Sequence, residues 1–331
     1  MSRQALVDAF LVCNGYAGAR AAPLAQDASF RRYLRLTGGR APAVLMDAPP
    51  PEDVRPFLRI AGHLAAAGLS VPAIIAADPA NGLLLEEDLG DALLSDLLDR
   101  NHSPDPLFDA AVDALAVMQR LDPPAGLPAW DAAIMAETAL ATLFDWWWPA
   151  CFGAAAPDAA RADVADALAR MLAPLADLPS CFVHRDFFAG NLIWLPARDG
   201  PRRIGIIDFQ SAALGHPAYD LVSLMQDARR DIPPHLAERA IARLLAQRPE
   251  LDPAAFRAGF AVCAAQRHLR VACQWVRLAR RDGRPQYLAY GPRTWDLLAR
   301  ALRQPEAAPL AAALDRWIPA AERGNPPGLA A

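Results

Sequence analysis

Apolar residues recur at helical spacing at the start of the chain, with Ala5, Leu6, Ala9, Phe10 and Cys13 on one face, so residues 1–20 are read as a helix. The period then shortens to two. Phe30–Leu36 alternates, Gly38–Gly39 supplies a turn and Ala43–Met46 is a continuous apolar run, which together predict a β-hairpin. Pro49–Pro51 stops the second strand, and Val54, Phe57, Leu58, Ala61 and Leu64 return to helical spacing over Glu52–Gly68. Two more short runs, Ala73–Ala77 and Leu83–Glu87, flank a turn at Asp78–Gly82. Residues 1–89 are thus read as a small lobe, an antiparallel sheet carrying a helix.

Beyond Gly90 the helical period dominates. Helices are predicted over Asp91–Arg100, Leu107–Leu121, Ala132–Trp147 and Ala159–Ala176, and again from His235 onward, with a proline-rich turn at Asp122–Pro128. One strand-rich island interrupts them: Phe182–Val183, Leu192–Trp194 and Ile204–Ile207 are short apolar runs around an intervening loop. Residues 90–331 are read as a second, mostly helical lobe, which makes the chain α+β. A chain of 331 residues suits two such lobes.

Composition narrows the function classes. With 54% hydrophobic and 21% charged residues the sequence can build an ordinary globular core. The formal net charge of −4, with basic residues scattered along the chain, argues against a nucleic-acid partner. No stretch approaches 18 uninterrupted apolar residues, and Asp8 interrupts the apolar N-terminal segment, so no membrane association and a cytoplasmic protein are expected. The 5 cysteines have no CxxC pair and are read as reduced. All 33 basic residues are arginine, which removes every mechanism that needs lysine.

The island carries the chemistry. It reads His184-Arg185-Asp186-Phe187-Phe188-Ala189-Gly190-Asn191, then Ile206-Ile207-Asp208-Phe209-Gln210. Phosphoryl transfer needs a carboxylate to orient the attacking hydroxyl and accept its proton, and it needs oxygen ligands to hold Mg²⁺ against the ATP phosphates. Asp186 suits the first task. Asn191, five residues on across a tight loop, and Asp208, at a strand end, suit the second.

The combination of HRDxxxxN with a later Ile-Asp-Phe strand end resembles the protein-kinase-like superfamily, and within it the aminoglycoside phosphotransferase branch. That resemblance implies a two-lobed kinase fold, with the small lobe as the nucleotide-binding part, and ATP and Mg²⁺ as cofactors. A protein substrate is disfavoured, because Gln210 replaces the expected glycine and only Leu214-Gly215-His216-Pro217 precedes the next helix. Further segments, among them Ser29-Phe30-Arg31-Arg32-Tyr33, Met46-Asp47-Ala48-Pro49-Pro50, Tyr219-Asp220-Leu221-Val222-Ser223-Leu224 and Gln266-Arg267-His268-Leu269, are similar to anomeric sugar kinases that phosphorylate N-acetylmuramate and N-acetylglucosamine. This similarity implies a role in peptidoglycan recycling, upstream of a sugar 1-phosphate nucleotidyltransferase.

The sequence departs from the kinase pattern where a lysine normally holds the α- and β-phosphates: Met46 falls at that position. Arg31 and Arg32 follow the Asp27–Ser29 turn that stands in for a glycine-rich loop, and strand alternation puts only one of them over the nucleotide, with Arg32 preferred. Glu52 is a candidate to orient that arginine. Adenine is expected on the backbone of the connector Leu85–Leu89, which includes Glu87 and Leu89. Trp146, in a run of three tryptophans, is a candidate sugar platform, and Arg267 and His268 are candidates for an acidic substituent. Asp220 is expected to brace the catalytic loop. Two other readings stay open: a kinase for an amino alcohol or aminoglycoside, which requires a cluster of acidic side chains, and a nucleotide-binding pseudokinase.

Overall fold

The alternation and turn signals of the N-terminal region become a five-stranded antiparallel sheet. The computed structural model describes residues 2–24 and 31–329; Ser29, Phe30 and the Asp27–Ser29 turn lie outside them. In chain order the elements are α1 (Arg3–Cys13), β1 (Arg20–Pro23), β2 (Arg32–Thr37), β3 (Ala43–Asp47), α2 (Arg55–Ala66), β4 (Ile74–Asp78), β5 (Leu83–Glu87), α3 (Leu94–Asp99) and α4 (Pro104–Arg120). There follow β6 (Ala129–Trp130), α5 (Ala132–Thr142), α6 (Trp148–Phe152), α7 (Asp158–Leu172), β7 (Cys181–Val183), β8 (Leu192–Trp194), β9 (Ile204–Ile206) and β10 (Ala213–Gly215). The chain closes with α8 (Ala218–Met225), α9 (Pro234–Gln247), α10 (Pro253–Arg281), α11 (Gly291–Ala301) and α12 (Ala308–Trp317). No helix among the described residues is long and apolar enough to cross a membrane.

The chain divides into two units, residues 1–118 with 189–211 and residues 119–188 with 212–331. In the first, the strand order is β1-β2-β3-β5-β4. β3 lies between two neighbours and every one of its residues is buried, which is why Ala43–Met46 is a continuous apolar run, while the buried Asp47 at its end is paired with Arg3 and Arg32. Val7, Tyr16, Leu36, Leu45, Leu83 and Leu85 form a core between α1 and the sheet. On α2 the buried residues Phe57, Ile60, Ala61 and Leu64 follow an i, i+3, i+4, i+7 stripe. Gly82 is required where it stands: its φ is +63° and a Cβ there would lie 2.0 Å from the Ala48 carbonyl oxygen. β1 escapes sequence reading because all four of its residues are exposed and carry no alternation.

The sheet ends at Glu87, near the expected boundary, but the first unit continues past it. The β8–β9 hairpin pairs Leu192 with Ile206 and Trp194 with Ile204. It is tied in by a parallel bridge between Ser70 and Gly205 and by the Ile206 amide donating to the Ser70 carbonyl at 2.8 Å. Phe209, just after it, stacks on Phe57 of α2 with ring centroids 4.6 Å apart.

In the second unit the long helix α10 runs 29 residues and buries much of its length against α5, α8 and α11. β10 pairs parallel with β6 and antiparallel with β7, forming a three-stranded sheet. Each of these strands is two or three residues long, too short for a periodicity to register. α5 runs on through a π-helical turn, Leu143–Trp147, into α6. This turn splits the tryptophan run: Trp147 and Trp148 are buried in the core, with Trp147 Nε1 donating to the Gly324 carbonyl at 2.8 Å, while Trp146 is half-buried.

Candidate active site

β7 delivers the chain into the HRD loop of the second unit. Its apolar residues are used for packing: Phe187 is buried edge-on to His184, and Phe188 is buried beneath the guanidinium of Arg229, 4.1 Å from its ring. Asp220, fully buried in the first turn of α8, accepts the backbone amides of His184 at 2.6 Å and Arg185 at 2.9 Å. Burial outweighs those donors and the nearby His184 and pushes its carboxyl up to about 6. The Asp186 amide in turn donates to His184 Nδ1 at 3.3 Å.

Three described non-glycine residues have positive φ, and two lie in the catalytic motifs: Arg185 at 75° and Asp208 at 62°. Such backbone costs about 1–3 kcal/mol and persists only where its surroundings enforce it. Asp220 supplies that enforcement for Arg185. At Asp208 the neighbour is Gln210, whose Nε2 donates to Oδ1 at 2.6 Å.

Asp186 lines a cavity of about 270 Å³ in the second unit. Thr138, Ala141 and Thr142 line it from α5, Trp146 from the π-helical turn, and Arg185 from the loop, while Arg270, Gln274 and Arg277 reach it from α10. The last three fall at helical spacing on one face. The Arg185 guanidinium carbon lies over Trp130, 3.9 Å from the ring centroid. Arg270 donates to Gln274 Oε1 at 2.7 Å and to the Tyr219 hydroxyl at 3.3 Å. Among the described residues Asp186 is the one carboxylate lining the cavity, against three guanidinium groups. Arg267 and His268 do not line it. Arg267 is buried with Nε on Ser223 Oγ at 2.7 Å, and His268 is buried against Gln226 Oε1 at 2.7 Å, its imidazole held well below its usual range by burial and by Arg267.

In the first unit Asn191 and Asp208 come together, with Asn191 Nδ2 3.4 Å from Asp208 Oδ2 and the Ile207 amide on the Asn191 carbonyl at 3.2 Å. An amide oxygen and a carboxylate are hard donors of the kind Mg²⁺ takes, and the ion usually completes its shell with water and phosphate oxygens. Among the described residues no group of three or more His, Cys, Asp or Glu could hold a metal ion.

Arg31 and Arg32 separate clearly. Arg31 is 8% exposed, and its Nε donates to Glu52 Oε2 at 2.8 Å. Arg32 is the outward one: its half-exposed guanidinium shares the Asp47 carboxylate with Arg3. Sequence reasoning preferred Arg32; the buried, acid-oriented arginine is Arg31. It also passed over Tyr33 and Glu86. Burial, offset in part by Arg31, pushes the Glu86 carboxyl up to about 8, and burial with Glu86 raises the Tyr33 hydroxyl strongly. Glu86 had a signal, an acid inside the strand run Leu83–Glu87. At the connector, Glu87 pairs with Arg198 at 2.5 Å and its amide donates to the Ala73 carbonyl at 2.8 Å. Leu89 packs over Gly205, where a Cβ would approach Leu89 Cδ1 to 2.9 Å.

The chain is similar to known proteins over most of its length. Residues 20–257 match the model of a family described as "Phosphotransferase enzyme family". An N-acetylmuramate/N-acetylglucosamine kinase of Caulobacter vibrioides is 37% identical over 97% of this chain and 98% of its own length. A kinase of the same name from Pseudomonas aeruginosa is 38% identical over 87% of this chain and 86% of its own. Among solved structures, a choline/ethanolamine kinase family protein from Mesorhizobium loti superposes with a TM-score of 0.64 at 17% identity, covering 95% of this chain and 100% of that one. The likeness shows that the fold is protein-kinase-like.

Proposed function

The chain belongs to the phosphotransferase enzyme family, and on that premise we propose that it transfers the γ-phosphoryl group of ATP to the anomeric 1-hydroxyl of N-acetylmuramate or N-acetylglucosamine. The observation that carries the choice of acceptor is the lining of the Asp186 cavity, three guanidinium groups and one carboxylate. A cationic acceptor such as choline or an aminoglycoside needs acidic partners, and this cavity repels it. Trp146 offers an aromatic face, and Thr138, Thr142 and Gln274 offer hydrogen bonds, which suits a neutral or acidic sugar of modest size.

In this reading Asp186 accepts the proton of the attacking hydroxyl, and the loop that carries it is fixed by Asp220 from below. Mg·ATP supplies the transferred phosphoryl group and the metal charge that neutralises it. Asn191 and Asp208 hold the cation, with Gln210 orienting Asp208. Arg31, aligned by Glu52, takes the phosphate-binding task that lysine performs in other kinases. Adenine is assigned to the connector around Glu87 and Leu89. The product, a sugar 1-phosphate, suits consumption by a nucleotidyltransferase in cytoplasmic recycling of peptidoglycan.

A turnover panel tests the reading. With Mg·ATP, ADP release is expected on N-acetylmuramate and N-acetylglucosamine and not on choline or kanamycin; turnover confined to the amines would overturn it.

A further inference from the structure

The cavity beside Asp186 has more positive charge than any neutral sugar requires. Two of its three arginines are not used up by the protein. Arg277 makes no ion pair among the described residues, and its buried Nε has no hydrogen-bond partner. Arg270 spends its terminal nitrogens on the neutral Gln274 and Tyr219 and likewise leaves a buried Nε without a partner. The third, Arg185, is committed to the face of Trp130. A buried guanidinium donor without an acceptor costs stability, and structures retain one where a ligand supplies the missing acceptor. Arg270 and Arg277 lie two turns apart on one face of α10, so both address the same wall of the cavity.

We propose that Arg277, assisted by Arg270, is the specificity-determining subsite for a carboxylate on the acceptor. This rests on the sugar-kinase reading above and deepens it. N-acetylmuramate carries a lactyl carboxylate that N-acetylglucosamine lacks, and a planar guanidinium fork matches a carboxylate with paired, charge-assisted hydrogen bonds. The paired acid satisfies the orphan donors and offsets the excess charge facing Asp186. With a neutral sugar the donors stay unpaired, so the acidic sugar is favoured by the site itself.

The test compares Arg277→Gln with the wild type on both sugars and on the methyl ester of the lactyl carboxylate. The ratio of kcat/KM for N-acetylmuramate to that for N-acetylglucosamine is expected to fall about ten- to hundredfold in the variant, the effect of losing one charge-assisted hydrogen-bond pair. Wild type should lose a similar factor on the ester, and the variant should lose little more. The ester arm needs no substitution, so it stands whatever happens to the folding of the variant. An unchanged ratio, or an ester used as well as the acid, overturns the subsite while leaving the sugar-kinase reading intact. A wild-type enzyme that uses neither sugar removes both.

Discussion

The buried Arg31 and the partly exposed Glu52 form an ion pair, Nε to Oε2 at 2.8 Å, in a chain that has no lysine. Other kinases pair a lysine with a helical glutamate at the phosphates, and the phosphate role proposed for Arg31 rests on that parallel. Here the glutamate lies three residues ahead of α2 and the cation comes from the residue before β2. Met46, which occupies the usual lysine position, is fully buried between Tyr33 and Leu84. Replacing Arg31 by Met should therefore raise the KM for ATP about ten- to hundredfold while changing the KM for sugar much less. Initial-rate kinetics with each substrate varied checks this. Arg32→Met, which removes a half-exposed guanidinium from an Asp47 carboxylate that Arg3 continues to hold, should leave the nucleotide KM within about twofold. The reverse ranking would return the phosphate role to Arg32.

Glu86 gives the protein a defined pH dependence. Its carboxyl is raised from 4.5 to about 8 by burial. Between those values the folded state holds a proton that the unfolded state has released, so this residue's contribution to stability declines as pH rises through the window. The slope is at most about 1.4 kcal/mol per pH unit for one proton. Glu86→Gln, neutral at every pH, should match wild type near pH 5 and gain on it progressively toward pH 8 in urea denaturation. Parallel curves across that range would show that Glu86 titrates normally.

Gln210 Nε2 donates to Asp208 Oδ1 at 2.6 Å, so under the proposed function it orients a residue assigned to the cation. Removing an outer partner of a metal ligand typically costs ten- to hundredfold in metal affinity. Gln210→Ala is thus expected to raise the Mg²⁺ concentration for half-maximal activity about tenfold, with kcat at saturating Mg²⁺ reduced less. Gln210→Glu, which keeps an oxygen but loses the donor, should behave like the alanine variant. An unchanged Mg²⁺ requirement would leave Gln210 a purely local brace.

Much of this was legible before any coordinates. The stripe on α2, the apolar run of β3 and the His184–Asp208 spacing each follow from one local rule, so the helix, the sheet and the candidate triad could be read directly. What local rules could not reach depended on packing across the chain. β1 has no buried residue to mark it. The preference for Arg32 rested on strand alternation, whereas Arg31 precedes the strand and takes its orientation from Glu52, far off in sequence. α10 carries arginines on several faces, and the choice of Arg270 and Arg277 over Arg267 is made by α8, whose Ser223 captures Arg267. Gln210 registered in the sequence only as a missing glycine; its amide on Asp208 needed geometry.

Phosphorylation at the anomeric position is tested most directly by ADP release on N-acetylmuramate and on its 1-O-methyl glycoside, with wild type and Asp186→Asn side by side. Wild type should turn over the free sugar and not the glycoside. Asp186→Asn should lose about a hundredfold or more in kcat, the usual scale for general-base loss, with ATP affinity retained. Equal turnover of the glycoside, or an undiminished Asp186→Asn enzyme, would contradict the assignment of Asp186 as the base that delivers the 1-hydroxyl.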